Sequence, residues 1–79
     1  MIHCHLISPQ KITTYKKIES ATLPTKSGEI QILPHHAEIF VSLDKGKIIL
    51  EKENGKRIYL SSKKDSLAYF KDDILFIVS

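Results

Sequence analysis

Residues 23–37 read LPTKSGEIQILPHHA, and this stretch decides how the chain folds. Ile30 and Ile32 alternate with polar residues, which is the period-two pattern of a strand with one buried face. Gly28 stands before that strand and can adopt the positive φ that a tight turn requires. Pro24 is expected to end the preceding strand, because proline has no N–H to give to a sheet. The stretch therefore predicts two strands joined by a loop with an exposed tip.

The same period of two recurs in residues 2–6 and 37–43. Other segments are rich in Ile, Val, Thr, Tyr and Phe, which suit strands, and no window shows a helical stripe. The predicted strands are Ile2–Leu6, Lys17–Leu23, Glu29–Ile32, Ala37–Leu43, Lys47–Lys52, Lys56–Ser61, Leu67–Phe70 and Ile74–Val78. Asn54-Gly55 predicts a type I′ hairpin turn, and Lys71-Asp72-Asp73 predicts a weaker turn. The pattern therefore predicts an all-β chain, a small antiparallel sandwich or flattened barrel of about eight to ten short strands.

Composition narrows the class of protein. The 79 residues form one domain, residues 1–79, with 42% hydrophobic and 27% charged residues, as in ordinary globular proteins. A single Cys excludes an internal disulfide. The longest apolar run, Ile74–Val78, is far shorter than the roughly 20 residues of a membrane-spanning helix. The N-terminus lacks the features of a signal peptide, so a reduced, cytoplasm-like compartment is expected.

Cys4 lies between His3 and His5, a pairing that could activate a thiolate nucleophile. Adjacent residues of a strand point to opposite faces, however, so Cys4 is expected in the core, away from both histidines. His3 and His5 share a face, and His35 or His36 could add a third metal ligand. Because a structural zinc site usually needs four ligands with cysteine prominent, no metal is expected.

The remaining chemistry also favours a protein without catalysis. Asp72 and Asp73 are neighbours in a turn and cannot face each other across a substrate. The three glycines are too far apart for a phosphate-binding loop.

An OB-like module for single-stranded nucleic acid is the alternative, with Tyr59, Tyr69 and Phe70 as stacking residues. The net charge of +3 is spread over every segment, so nucleic acid is not the expected partner.

Residues 23–37 resemble the signature of the epsilon subunit of rotary ATP synthases, called delta in mitochondria. That signature has Leu-Pro-Thr, two variable residues and Gly-Glu, followed by Ile-Leu-Pro, one variable residue and His-Ala. The matching positions are Leu23, Pro24, Thr25, Gly28, Glu29, Ile32, Leu33, Pro34, His36 and Ala37. Leu43 and Gly46 fit a later turn of the family. The resemblance covers essentially the whole chain and implies the family's N-terminal β-sandwich domain.

The resemblance also implies a function. It indicates a non-catalytic central-stalk (rotor) subunit of a proton- or sodium-translocating ATP synthase, with no cofactor. Such a subunit would link the gamma subunit to the ring of membrane c subunits during ATP synthesis. It would lie at the cytoplasmic face of the bacterial inner membrane, or its organellar equivalent, and reach the membrane only through the complex. Contact with the c ring is implied for Lys26, Ser27, Gly28, Glu29 and His36.

An exposed apolar patch on one sheet is expected, because an isolated subunit shows the surface that a partner covers. Phe40 stands among polar outward residues of its strand, so it is a candidate for a gamma-facing patch, and a second buried face is the equal alternative. The chain departs from the family at Gln31, where glycine is usual, and at Glu38, where an apolar residue or proline is usual. The family's C-terminal helical hairpin would begin near Ser79 and is expected to be absent.

Overall fold

The structure, a computed structural model that describes all 79 residues, contains eight strands and no helix. The strands are β1 (Ile2–Ile7), β2 (Ile12–Thr25), β3 (Gly28–Ile32), β4 (Ile39–Ser42), β5 (Gly46–Lys52), β6 (Arg57–Ser62), β7 (Leu67–Lys71) and β8 (Ile74–Val78). The all-β prediction is confirmed, and the number of strands lies within the predicted range. No helix is present that is long and apolar enough to cross a membrane.

Strand β2 joins two layers of the sandwich. Its first part, residues 12–18, pairs with β1, whereas residues 18–25 pair with β5 and β3. The register shifts beside Ile18, and Lys17 next to it has φ of 58°, so the strand bends where it passes from one layer to the other. The first layer has the order β4-β7-β8-β1 and continues into β2, and the second layer holds β3, β5 and β6.

The sheet is mixed, whereas the sequence predicts an antiparallel one. Strands β1 and β8 pair in parallel, from His3 opposite Ile74 to Ile7 opposite Val78. All other pairs are antiparallel. Hairpin turns signal antiparallel neighbours, but the pairing of the first and last strands leaves no local signal. The antiparallel part of the prediction is therefore wrong for this one pair.

The strand before the opening loop is also longer than predicted. Strand β2 runs through Pro24 to Thr25, and Pro24 pairs with Glu29 of β3. The carbonyl oxygen of Pro24 accepts a hydrogen bond from the N–H of Asp44 at 2.9 Å. Pro24 therefore does not end the strand. The loop contains only Lys26 and Ser27, because Gly28 with φ of 112° already begins β3.

The Asn54-Gly55 hairpin is present but its turn type differs from the prediction. Only Gly55 has a positive φ, of 86°, whereas a type I′ turn needs two such residues. The Lys52 carbonyl accepts from the Gly55 N–H at 2.9 Å, and the Lys52 N–H donates to Lys56 at 2.7 Å. This is a three-residue loop with glycine in the left-handed position.

The core is one cluster of 13 buried residues drawn from both layers. Phe70 of β7 is its largest member. Cys4 lies in the same cluster with no exposed surface, and burial raises the pKa of its thiol to about 12. The prediction of a core cysteine, pointing away from His3 and His5, is confirmed. A thiol that stays protonated is not a nucleophile.

Candidate docking surface

The outer side of the first layer is apolar. We call it the apolar face, and its members are Ile7, Ile12, Phe40, Leu67, Tyr69, Ile74, Phe76 and Val78. None of them belongs to the core cluster, and most are exposed large hydrophobic residues. They come from five strands, β1, β2, β4, β7 and β8. Contiguous apolar surface of this kind on a small protein marks an interaction site.

The strand register lines these side chains up in rows, because directly opposed residues point to the same side of a sheet. Phe40 lies opposite Tyr69, Tyr69 opposite Phe76, and Phe76 opposite His5. The ring centroids are 5.9 Å apart for Phe40 and Tyr69, 6.5 Å for Tyr69 and Phe76, and 5.4 Å for Phe76 and His5. A second row runs parallel to it, across Leu67, Val78, Ile7 and Ile12. The result is a flat aromatic and aliphatic surface.

The rings of Tyr69 and Phe76 face outward because the residues next to them in sequence are packed in the core. Phe70 and Leu75 are fully buried, so alternation places Tyr69 and Phe76 on the outer side. Phe40 is 68% exposed. Phe40 therefore does not belong to a second buried face, and its contact with a gamma subunit stays a prediction.

Sequence reasoning found Phe40 but missed most of the apolar face. The available signal was Ile74–Val78, in which every residue is apolar. A strand with no polar alternation has two apolar sides, and only one of them can face this small core. From the sequence alone, Tyr69 fits the stacking role of the nucleic-acid alternative, because the strand partners that place it in a row cannot be deduced from the sequence.

The outer side of the second layer is polar by contrast. One row there passes through Gln31, Thr22, Ile49 and Tyr59. Beside it, Arg57 Nε pairs with Glu51 Oε2 at 3.1 Å. Lys47 Nζ lies 5.6 Å from the centre of the Tyr59 ring. The two sides of the sandwich therefore differ, and only the apolar face presents a surface that water solvates poorly.

The predicted ring-contact residues Lys26, Ser27, Gly28 and Glu29 lie together in the tip of the β2–β3 hairpin. Thr25 Oγ1 donates to the Gly28 carbonyl at 2.5 Å and accepts from the Ser27 N–H at 3.2 Å. Lys26 Nζ pairs with Asp65 Oδ1 at 2.9 Å, and this bond raises the pKa of Lys26. Glu29 is exposed and forms no ion pair. The tip is therefore a turn held by hydrogen bonds and one ion pair, and Glu29 is its one unpaired carboxylate.

His36, the fifth predicted contact, lies elsewhere. Its ring meets the edge of Phe70 at 6.1 Å, and its Nδ1 is 2.7 Å from the Ala37 carbonyl oxygen. His36 lies near the turn that follows β7. Asp65, which pairs with Lys26 of the tip, lies in the loop that precedes β7. The structure therefore separates His36 from the other four residues by the length of that strand.

The adjacent acids Asp72 and Asp73 form the β7–β8 turn. Both have positive φ, 50° and 61°, as a type I′ turn requires. Asp73 Oδ1 accepts from the His35 N–H at 2.6 Å, and Asp73 Oδ2 lies 3.5 Å from His35 Nδ1. The turn interpretation of these acids is confirmed. No group of three His, Cys, Asp or Glu side chains has the geometry of a metal site.

Comparison with known proteins assigns this architecture to a family. Residues 1–72 match the family model described as the ATP synthase, Delta/Epsilon chain, beta-sandwich domain. The chain belongs to this family. An ATP synthase epsilon chain of Wolinella succinogenes is 36% identical over 56 residues, which are 71% of this chain and 43% of the relative. One from Leptospira interrogans is 31% identical over 74 residues, covering 94% of this chain and 57% of the relative.

Chains in solved structures of mitochondrial ATP synthases share this fold. A chain in the Euglena gracilis mitochondrial ATP synthase, OSCP/F1/c-ring, superposes with a TM-score of 0.89 at 21% identity, over 99% of this chain and 49% of that one. A chain in the Tetrahymena thermophila mitochondrial ATP synthase central stalk/c-ring gives 0.75 at 15% identity, over 98% and 61%. This delta/epsilon-family chain spans about half the length of the curated relatives it matches.

Proposed function

We propose that the chain is a non-catalytic subunit of an ATP synthase central stalk, whose apolar face docks on the gamma subunit. The apolar face is the observation that carries this proposal, because it is the one large surface of the sandwich that needs a partner. Residues 1–79 act as the family's sandwich domain. No feature of the structure favours the nucleic-acid alternative.

The size of the chain fits this proposal. A typical stable interface covers about 800 Å² per partner, which is roughly one sixth of the 5037 Å² that the chain exposes. Such an interface takes most of one side of the sandwich. The role is mechanical: a stiff sandwich couples two partners, and no bond is made or broken.

We further propose that the tip, Lys26, Ser27, Gly28 and Glu29, contacts the c ring. Support comes from its exposure at the end of a rigid hairpin, which is where partner contacts concentrate. His36 belongs to the same proposal, but the ring would have to meet the domain at a second point to reach it. The location follows from the partners. We place the chain at the cytoplasmic face of the bacterial inner membrane, or the equivalent organellar face, attached through the complex.

Co-purification tests the proposal. The chain is expected to bind a purified gamma subunit from the same source with a Kd in the micromolar range or tighter. A folded chain that shows no binding to gamma at micromolar concentrations contradicts the proposal. Salt-sensitive retention of single-stranded oligonucleotides would instead support the nucleic-acid alternative.

A further inference from the structure

Glu38 places a carboxylate at one corner of the apolar face. The hydroxyl of Tyr69 donates to Glu38 Oε2 at 2.6 Å, and this bond is the main cause that raises the pKa of Tyr69. Phe40, two residues farther along, meets the same tyrosine ring edge to face, with the ring centroids 5.9 Å apart. The carboxylate is thus fixed against the aromatic row, and a partner that covers this row also covers the carboxylate.

The carboxylate of Glu38 has no ion-pair partner within the chain. It shares a shallow depression with Lys71, Asp72 and Asp73, so three carboxylates and one lysine lie there. This corner is acidic on a chain whose net charge is +3. His35 and His36 line the same depression, and His35 lies beside Asp73.

Docking changes the environment of this carboxylate. In the free chain, Glu38 is exposed and water solvates the oxygen that Tyr69 does not use. Once a partner covers the aromatic row, that water is lost, and a buried charge without a counter-charge is strongly unfavourable. The two rows of apolar side chains contribute affinity for any partner with a complementary apolar surface, because apolar burial is not directional. The acidic corner, in contrast, discriminates between partners that do and do not supply a cation.

We infer that the docking partner presents a lysine or arginine side chain to Glu38, so that the surface recognises an apolar patch with a basic side chain at one corner. This inference rests on the proposed function, because it takes the gamma subunit as the occupant of the apolar face. Glu38 then selects the partner, whereas the aromatic row supplies most of the contact area.

The substitution Glu38→Gln tests the inference, because an amide oxygen can still accept the bond from Tyr69 while the charge is lost. The full chain is titrated with gamma at two salt concentrations. We expect about a tenfold or greater loss of affinity, since the partner's cation is left unpaired, and a weaker dependence on salt than for wild type. Glu38→Lys is expected to lose more.

Glu53→Gln is the matched control. Glu53 is an exposed carboxylate in the β5–β6 hairpin, away from the apolar face, and its loss is expected to change the affinity by less than about twofold. If Glu38→Gln binds gamma as tightly as wild type with the same salt dependence, the inference is wrong while the proposed function stands. If the wild-type chain itself does not bind gamma, the proposed function fails and the inference falls with it.

Discussion

Replacing Phe40 by alanine should weaken gamma binding strongly while leaving the fold intact. Phe40 is 68% exposed in the free chain and lies at the end of the aromatic row. An aromatic side chain buries 150–250 Å², so roughly 100–170 Å² of Phe40 is still available for a partner to cover. At about 25 cal/mol per Å², and allowing for the area that alanine retains, the loss is about 2–3 kcal/mol. This corresponds to a 30- to 150-fold rise in Kd, on the order expected for an interface anchor.

Isothermal titration of the variant and wild-type chains with gamma measures this loss. Tyr59→Ala is the matched control, because Tyr59 is similarly exposed, at 55%, but lies on the polar outer side of the second layer. Its Kd should stay within about threefold of wild type, as is usual for surface positions outside an interface. Thermal unfolding should show both variants folded. The reasoning is refuted if Phe40→Ala binds normally, or if Tyr59→Ala loses as much affinity.

Three further predictions concern stability. Phe70→Ala, which empties a fully buried site, should cost about 3–5 kcal/mol in urea unfolding, unlike the exposed Phe40. In Gly28→Ala the new methyl group would meet no other atom, so only the φ of 112° strains the variant. Its free energy of unfolding should fall by about 1–3 kcal/mol in the same assay. The unfolded Cys4 thiol ionises above pH 9, whereas the folded thiol keeps its proton until about pH 12. Between these values the free energy of unfolding should fall by about 1.4 kcal/mol per pH unit more than it does for Cys4→Ala.

Most of the fold follows from local patterns in the sequence. Alternation of apolar and polar residues located β1, β3 and β4, and richness in β-branched and aromatic residues located the other five strands. The residues of the turns located the hairpins. Two errors came from tertiary context that local rules do not contain. Pro24 stays in its strand, paired with Glu29, instead of ending it. The parallel pairing of β1 with β8 joins the two ends of the chain. Turn residues indicate only pairs of consecutive strands, so they do not predict this pairing.

The candidate site was less predictable for a related reason. The tip residues were found because they are contiguous in the sequence. The apolar face is assembled from five strands, and its aromatic row needs the register of four of them. Phe40 was noticed as an apolar residue among polar ones. Tyr69 and Phe76 gave no separate signal, because their strands are apolar throughout and the sequence does not show which side faces the core.

The most direct test of the account maps where gamma touches the chain. The isoleucine δ-methyl groups report on each side: Ile7, Ile12 and Ile74 belong to the apolar face, and Ile49 lies on the polar outer side of the second layer. Methyl NMR spectra of the labelled chain should show large shifts or broadening of the first three on addition of unlabelled gamma, with Ile49 much less affected. Changes concentrated at Ile49, or no change at saturating gamma, would contradict the central claim that the apolar face is the docking surface.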